Sequence, residues 1–528
     1  MKRISIYAAV AVCVLSVAGC TKNFETFNTN PCAPTEGQMK GDNFLQNSLL
    51  FTMMKPLAEG NQNESQMIDQ LCGLEFGGSI ATVNPFGNAG NYYTYDPRLG
   101  WIDSPFTTIM PQIYNSFFKI SDLVDKEGLV YNWALLLRVM GTQRLSDIYG
   151  PMPYSKVGNG AFSVAYDDMP DLYDNLFKDL DTAISGLKKA VESGDGVVNY
   201  LKSADVIYQG DLQKWVRFAN TFRLRMAVRI SNADPVRAEA EALKSINDEY
   251  GLMIDGDAAW STYNDGMNPL YRAAYAWGGE FMISANVTTF LEGYGDPRLP
   301  VYATRATAPG ADSLKFVGVR NGVEHTADTK AGHNKLSNLN LGMNDPLLVM
   351  SASEGYFLRA ECCLKGWIPG DAGAVYSDGI RVSMKERGIS DKAAVQEYLA
   401  GTGHQADYVC NTYPAENCAH VSNVGVAPSS VPEELLEQIL TQKWLASFPN
   451  SWEAWADFRR TGYPRHFPVM SNKSATGSTG TVTTERGMRR IPFPISEANT
   501  NKENYDEAVR MIGGRDEAGV DLWWALKN

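Results

Sequence analysis

Apolar residues recur at helical spacing through most of this chain. Between residues 42 and 57, for example, they fall on one face of a helix: Phe44, Leu45, Leu49, Met53 and Leu57. The same spacing predicts helices at about 105–126, 131–147, 170–192, 211–230, 235–249, 347–367, 371–387, 391–400, 432–448 and 451–460. The pattern therefore indicates a body built from helices.

Two stretches interrupt this helical pattern. Residues 251–345 are rich in Gly, Asn, Tyr and Trp, and residues 465–495 contain a Ser/Thr/Gly loop. Connections longer than about 15 residues are usually functional or disordered. The stretch at 251–345 is too aromatic for simple disorder, so we expect a loop-rich insertion that leaves the helical body.

The N-terminus has the layout of a bacterial lipoprotein signal. Lys2 and Arg3 precede an apolar run at 6–15, and the small residues at 17–19 precede Cys20. A run of about ten residues is half the roughly 20 that a membrane span needs. We therefore predict that residues 1–19 are removed and that Cys20 is lipidated, with two or more acyl chains for stable anchoring. The alternative is an ordinary secretory signal with a chance cysteine.

Charge excludes one class of partner. The net charge is −13, with 60 acidic against 47 basic residues. Sequence-independent nucleic-acid binding draws on clustered Lys and Arg, and the sequence has no such cluster. An acidic body is also repelled by anionic lipid, so the lipid anchor would hold the protein at a membrane.

The cysteines indicate neither a zinc site nor a redox dithiol, since no C-x-x-C occurs. An exported protein can form disulfides. Cys410 and Cys418 flank a short polar loop and are the best local pair. Cys362 and Cys363 are adjacent in a helical pattern, which is typical of small buried hydrophobic residues.

Aromatic residues beside polar ones are the candidates for ligand binding. A sugar presents C–H groups to an aromatic plane, while its hydroxyls need amide or charged partners. Two stretches offer this combination: Tyr92, Tyr93, Tyr95 and Trp101 in the first, and Asn268, Tyr271, Tyr275 and Trp277 in the second. Tyr271 and Tyr275 would share one side of a helical turn. The alternative is that these rings pack the loops onto the body.

Enzyme signatures are missing from the sequence. The five His are scattered, and no H-E-x-x-H, G-x-S-x-G, P-loop or Rossmann fingerprint occurs. The paired carboxylates of a glycosidase need only be close in space. An exported glycoside hydrolase is therefore the alternative of a different class.

Several charged and aromatic residues near the C-terminus are predicted to hold the fold together. Glu453, Asp457, Arg459 and Arg460 surround Trp455, and we expect ion pairs that fix this helix to the body. A functional carboxylate–arginine site is the alternative. Phe493, between two prolines, is expected to pack into the body.

Four segments carry a resemblance to a known family in the same order along the chain. They are Phe27-Asn28-Thr29-Asn30-Pro31, the stretch Glu354 to Glu361, the stretch Glu453 to Pro464, and Arg490-Ile491-Pro492-Phe493-Pro494. Together they resemble the SusD-like (SusD/RagB) nutrient-binding lipoproteins, in the branch whose mature chain opens with Asn-Thr-Asn-Pro. The likeness covers nearly the whole mature chain and is weakest at 251–345.

The resemblance implies an all-α fold, with a body of tetratricopeptide-like helical hairpins, long irregular loop excursions and little β structure. Two short patterns, Leu180 to Ile184 and Tyr376 to Ile380, fit the close approach of helices in such hairpins. The implied domains are a signal peptide at 1–19, a lipid-anchored tether at 20–40 and a single α-helical domain at 41–528.

The resemblance also implies a role. Such proteins are lids on SusC-like TonB-dependent barrels in the outer membrane of Bacteroidota, where they capture oligosaccharides or, in some members, peptides. They perform no chemistry and need no cofactor; the sequence leaves a calcium site open. We expect a lipid-anchored protein that faces the cell exterior, although Glu25 is the only carboxylate near Cys20 that fits a surface-export signal.

Overall fold

Helices carry most of the chain in the computed structural model, which describes residues 43–86 and 91–526. The predicted lipidation site Cys20, the signal and the tether lie outside these residues. The longer helices are α1 Phe44–Met54, α2 Ser104–Leu123, α3 Leu129–Tyr149, α4 Met169–Ser193, α5 Leu212–Arg229, α6 Pro235–Ile246, α7 Ala285–Gly293, α8 Ala327–His333, α9 Ser353–Leu364, α10 Ala372–Glu386, α11 Lys392–Leu399, α12 Pro432–Ser447, α13 Trp452–Thr461, α14 Ile495–Thr500 and α15 Lys502–Met511. Shorter helical turns occur at Gln62–Ser65, Gln66–Leu74, Leu99–Ile102, Val198–Leu201, Pro269–Tyr271, Arg272–Ala276 and Leu299–Tyr302.

The β structure of the described residues is confined to two small antiparallel sheets. Strand β1 (Ile80–Thr82) pairs with β3 (Phe281–Ile283), and β2 (Ala259–Ser261) pairs with β4 (Leu347–Met350). The prediction of an all-α body with little β structure is confirmed.

Consecutive helices pack as hairpins, and three of them begin at an aspartate cap. The side chains of Asp168, Asp211 and Asp234 accept hydrogen bonds from backbone N–H groups in the first turns of α4, α5 and α6. Helices α3 and α4, α5 and α6, and α9 and α10 are the packed pairs. The core between them includes Trp133 and Trp215, whose rings meet edge to face at 5.5 Å.

Small residues set the close approach of these hairpins, as the sequence predicted for Gly379; Gly186 lies outside the two predicted patterns. A Cβ added at Gly379 in α10 would lie 2.9 Å from the Phe357 ring in α9, which is tighter than a real Cβ contact allows. A Cβ at Gly186 in α4 would lie 2.1 Å from the Asn132 side chain in α3. Larger residues at either position would force the paired helices apart.

Two predicted boundaries are wrong. The helix expected over 347–367 begins at Ser353, because Leu347–Met350 forms strand β4 against β2. The stretch 251–345, expected to be non-helical, contains α7, which begins at a cap on Ser284. All residues of α7 from Ala285 to Leu291 are buried, so it has no polar face for a periodic pattern to reveal.

The cysteines stay free throughout the described residues, and the pair Cys410–Cys418 is not bonded. Cys418 lies opposite Tyr408 in an antiparallel bridge, which places Cys410 two residues farther along. The thiol of Cys418 accepts a hydrogen bond from Arg320 at 2.7 Å instead. Cys362 is fully buried, as predicted, while Cys363 is half-buried.

The charged residues of α13 fix it to the body, as the sequence predicted. Arg460 pairs with Glu361 on α9, and Asp457 pairs with Lys443 on α12 at 2.9 Å. Arg459 instead stacks on Trp455 of its own helix, with 3.7 Å from Cζ to the ring centroid. Phe493 is 2% exposed and packs against Tyr166, which confirms its predicted role.

Candidate ligand-binding site

The first predicted aromatic stretch packs mainly onto the body. Tyr92 and Tyr93 are 3% and 4% exposed, so neither ring has a face open to a ligand in this conformation. Tyr95 is half-buried beside Phe76, with 6.4 Å between the ring centroids. Trp101 is half-buried too, with the Arg98 guanidinium 4.9 Å from its ring centroid. Burial therefore favours the packing alternative for Tyr92 and Tyr93.

The second stretch carries two neighbouring tyrosine rings, of which Tyr275 is exposed and Tyr271 is half-buried. Tyr271 and Tyr275 share one side of the turn at 269–276, as predicted, with 5.0 Å between their ring centroids. Tyr275 is 39% exposed, and its hydroxyl donates a hydrogen bond to the Leu339 carbonyl. Trp277 is half-buried against the core.

Asn268 has a structural role next to Tyr271 and Tyr275. It is 1% exposed, and its side-chain oxygen accepts hydrogen bonds from the backbone N–H groups of Leu270 and Tyr271 at 2.9 and 3.0 Å. Its Nδ2 donates to the Asp345 carbonyl at 2.8 Å. Asn268 thus fixes the tyrosine-bearing turn to the loop around Asp345.

Asn268 also lines a cavity of about 400 Å³ between the helical body and the loop excursions. We call this space the ligand cavity. Its body wall comes from α3, which contributes Met140, Gln143 and Asp147 from one helical face, and from α5, which contributes Phe218 and Phe222. These positions recur at intervals of three or four residues, so two regular helices present a continuous wall.

An arginine between two aromatic rings forms the opposite wall. The Arg387 guanidinium carbon lies 5.0 Å from the ring centroids of both Trp260 and Tyr302. One Arg387 nitrogen donates to the carbonyls of Ala446 and Phe448, which holds the guanidinium in place. Its Nη1 has no hydrogen-bond partner among the described residues. This wall therefore offers an aromatic surface beside an unused donor.

A third side of the ligand cavity is built around Trp452. The indole N–H of Trp452 donates to the Asp69 carboxylate at 2.9 Å, and Asp69 also pairs with Arg144. The Arg144 guanidinium carbon lies 4.8 Å from the Trp452 ring centroid. Because each of these groups restrains the next, Trp452 is held in one orientation at the edge of the cavity.

Buried ion pairs form the floor of the ligand cavity. Two nitrogens of Arg225 each lie 2.7 Å from the Glu354 carboxylate. Arg229 bridges Glu453 and Asp147 at 2.6 and 3.2 Å.

The pKa values of the two carboxylates that share Arg229 are shifted in opposite directions. Burial acts to raise the pKa of Glu453, but the guanidiniums of Arg225 and Arg229 outweigh it and hold that pKa below its ordinary value. Burial raises the pKa of Asp147 despite the same Arg229, and its Oδ1 has no hydrogen-bond partner among the described residues. The floor thus keeps one unused acceptor beside its paired charges.

The arrangement suits a neutral ligand that both donates and accepts hydrogen bonds. Arg387 Nη1 is a donor and Asn340 Oδ1 an acceptor without a partner among the described residues, and Trp260 and Trp452 supply aromatic faces. Within residues 43–86 and 91–526, no group of three or more His, Cys, Asp and Glu side chains is placed to hold a metal ion. No helix in that part of the chain is both long and apolar enough to span a membrane.

Of the residues predicted to bind ligand, Asn268 lines the ligand cavity, and so does Glu453, which the sequence offered only as part of an alternative carboxylate–arginine site. Trp260, Tyr302, Arg387 and Trp452 come from four segments that are far apart in the chain. Each sits in a local pattern that indicates packing, and only the fold brings them together. The usable signal was Glu354 and Glu453, which open two of the segments that the resemblance had singled out and which line the cavity.

Comparison with known proteins identifies the family. The model of the SusD-like family, described as "Susd and RagB outer membrane lipoprotein", matches residues 26–525. A search of curated proteins finds no match.

Solved structures agree with the family match. A SusD-like protein from Bacteroides thetaiotaomicron is 35% identical with a TM-score of 0.85, covering 92% of this chain and 99% of its own. A chitin-binding SusD homologue from Flavobacterium johnsoniae is 32% identical with a TM-score of 0.83, covering 92% and 99%. A SusD homologue from Bacteroides ovatus is 33% identical with a TM-score of 0.84, covering 92% and 100%. The chain belongs to the SusD-like family of outer-membrane lipoproteins.

Proposed function

We propose that this lipoprotein captures oligosaccharides at the cell surface in the ligand cavity, without cleaving them. The observation that carries the proposal is the set of unused hydrogen-bonding groups beside aromatic faces, namely Arg387 Nη1 and Asn340 Oδ1 in the cavity that Trp260 and Trp452 also line. Sugar hydroxyls donate and accept, and sugar rings stack on aromatic planes. The chitin-binding relative from Flavobacterium johnsoniae supports a carbohydrate ligand.

In this proposal, Tyr271 and Tyr275 bind the part of the ligand that extends out of the cavity. Tyr275 donates to the carbonyl of Leu339, and the next residue, Asn340, lines the ligand cavity together with Asn268 and Leu270. Tyr271 and Tyr275 therefore border the cavity mouth. A chain of several sugar units would fill the cavity with one end and lie across the tyrosines with the next units.

Binding without turnover is supported by membership of the SusD-like family, and the floor carboxylates show what a hydrolase would need here. Glycoside hydrolysis needs one carboxyl group to give a proton and another to act as base or nucleophile. Glu354 and Glu453 are held in ion pairs with Arg225 and Arg229, and the guanidiniums of Arg225 and Arg229 hold the pKa of Glu453 below its ordinary value. Glu453 is therefore a poor proton donor, whereas Asp147, whose pKa burial raises, is the floor carboxyl group that the hydrolase alternative would use.

Calorimetric titration with an oligosaccharide panel tests the binding claim, with chitooligosaccharides as the first probe. We expect Trp260→Ala and Arg387→Gln each to weaken binding by about tenfold, since each removes one stacking or charged contact. Trp367→Ala is the matched control, because Trp367 is also half-buried but does not line the cavity. Unchanged affinity in both cavity variants, or cleavage of the bound sugar, would overturn the proposal.

We further propose that the protein passes its ligand to a SusC-like TonB-dependent barrel, to which it docks as a lid facing the cell exterior. Membership of the family supports this partner. Extraction of membranes with mild detergent should recover the lipoprotein together with a barrel protein. Protease added to intact cells should cleave it. Recovery of the lipoprotein alone would count against the partner, and resistance to protease would count against the exterior location.

A further inference from the structure

A second cavity, of about 300 Å³, meets helix α9 at residues other than those that face the ligand cavity. Glu354 lines the ligand cavity, whereas Gly355, Tyr356 and Arg359 line the second cavity. The rest of its wall comes from the end of α6 and the loop that follows, at residues 246 and 250–254. Successive residues of a helix point in different directions, so α9 contributes to both cavities at once. We call the second one the Arg359 cavity.

Among the residues that the structure describes, Arg359 is the only charged one that lines this cavity. Within the described residues it makes no hydrogen bond or ion pair, and its Nε is buried without a partner. An arginine normally satisfies its guanidinium with carboxylates, carbonyls or water, since it carries five N–H donors in a fixed plane. Its free donors therefore leave a positive group available beside the cavity.

The neighbouring carboxylates do not supply that missing partner. Asp248 pairs with Lys188 at 3.0 Å, and Asp257 pairs with Arg217 at 2.6 Å. Two more acids pair with bases on α10. Asp378 pairs with Arg381 at 2.7 Å, and Asp255, from the loop after α6, pairs with Lys385. Each of these four acids has its own base, Asp371 caps α10 through the backbone N–H groups of Gly373 and Ala374, and Arg359 makes no ion pair with a described residue.

The walls beside Arg359 are apolar and aromatic. Ile246, Leu252 and Met253 line the cavity together with the rings of Tyr250 and Tyr356. The backbone N–H and C=O of Leu252 make no hydrogen bond to the described residues. Free main-chain groups of this kind pair readily with an extended peptide.

We propose that the Arg359 cavity is a docking site for a polypeptide segment of a partner protein. That segment would carry a carboxylate next to an apolar side chain. Arg359 would hold the carboxylate in a bidentate pair, and the apolar neighbour would fill the space beside Leu252 and Tyr356. A polypeptide fits better than an acidic sugar, because the wall is apolar and its open backbone pairs with main-chain groups. This site is independent of the sugar-binding proposal.

Matched dipeptides test the inference on the full mature protein. The probes are acetyl-Ile-Glu-amide and its neutral counterpart acetyl-Ile-Gln-amide, and saturation-transfer NMR with calorimetry detects weak binding. We expect the acidic probe to bind about tenfold more tightly than the neutral one, and Arg359→Gln to remove that difference. Arg381→Gln is the matched control, because that arginine lies on the adjacent helix and already pairs with Asp378.

Two further arms separate the remaining outcomes. Oligosaccharide affinity at the ligand cavity should be unchanged in Arg359→Gln. If this variant also loses oligosaccharide binding, its fold is damaged. The proposal is then judged by whether unmodified protein binds the acidic dipeptide more tightly than the neutral one. Glucuronate is the sugar-acid probe. Equal binding of the two dipeptides, or binding of glucuronate with no binding of the acidic dipeptide, would overturn the proposal.

Discussion

Arg460 and Glu361 join helices α13 and α9 through two hydrogen bonds of 2.5 and 2.9 Å, and each side chain is 1% exposed. Burial acts to raise the pKa of Glu361, but the Arg460 guanidinium outweighs it and holds that pKa below its ordinary value. Removing one partner of a buried pair leaves an uncompensated charge. Glu361→Gln should therefore lower the free energy of unfolding by about 3–5 kcal/mol in urea denaturation.

The exposed pair Arg381–Asp378 is the control for this prediction. Its atoms lie 2.7 Å apart, but the side chains are 48% and 57% exposed. Water and salt screen such a pair, so Asp378→Asn should change stability by about 0–1 kcal/mol. Equal effects of the two substitutions would show that burial does not set the strength of the Arg460–Glu361 pair.

The helical body could be predicted from the sequence because its physics is local. An amphipathic stripe such as that of α4, together with its aspartate cap at Asp168, predicts a helix from a window of about twenty residues. Helix α7 was missed because it is buried on all sides. Strand β4 was missed because four apolar residues acquire strand geometry only when they pair with β2.

The ligand cavity could not be predicted in the same way. Trp260 and Trp452 face the same space although almost two hundred positions separate them, and neither differs locally from a core tryptophan. The same limit explains Tyr92 and Tyr93. A turn that ends with Tyr95 at φ 59° directs both rings inward, and composition does not reveal that direction.

Stability should depend on pH through Glu59, which is 1% exposed and lies next to the ligand-cavity residue Ala58. Burial raises its pKa from 4.5 to about 8, against the opposing hydrogen bond from the Asn61 N–H. A carboxyl group whose pKa is raised in the folded state stabilises that state fully below its unfolded pKa. The contribution is lost as pH rises through about 8. The free energy of unfolding of wild-type protein should therefore fall as pH rises from 4.5 to about 8.

Glu59→Gln keeps the shape of the neutral acid and cannot ionise. Urea denaturation at about pH 5 and about pH 8.5 should show a smaller loss of stability in this variant than in wild type. Glu434→Gln is the control, because Glu434 is exposed on α12. Parallel losses in Glu59→Gln and wild type would show that Glu59 is not the group responsible.

If Tyr271 and Tyr275 border the cavity mouth, the effect of removing Tyr275 on affinity should depend on ligand length. Tyr275→Ala should weaken binding of an oligosaccharide long enough to leave the cavity by roughly two- to tenfold, the worth of one aromatic contact. Binding of a disaccharide should be unchanged, because it fits within the cavity. Calorimetry with a ladder of chain lengths measures the difference.

Tyr92→Phe is the control for the tyrosine pair, since Tyr92 is 3% exposed and its hydroxyl makes no hydrogen bond to the described residues. Tyr275→Phe separates the ring from the hydroxyl that donates to the Leu339 carbonyl. If Tyr275→Ala weakens short and long ligands equally, the tyrosine pair positions the loop and does not contact sugar.

The predicted lipid anchor at Cys20 should be separable from the binding site. Cys20 lies outside the described residues, and 22 positions separate it from the start of the described body at Asn43. Cys20→Ala should release the protein from membranes, because the acidic body has no charge attraction to anionic lipid, while affinity for oligosaccharide in solution stays the same. Cell fractionation and calorimetry measure the two effects. Retention in the membrane fraction would contradict the anchor, and lost affinity would mean that the tether belongs to the site.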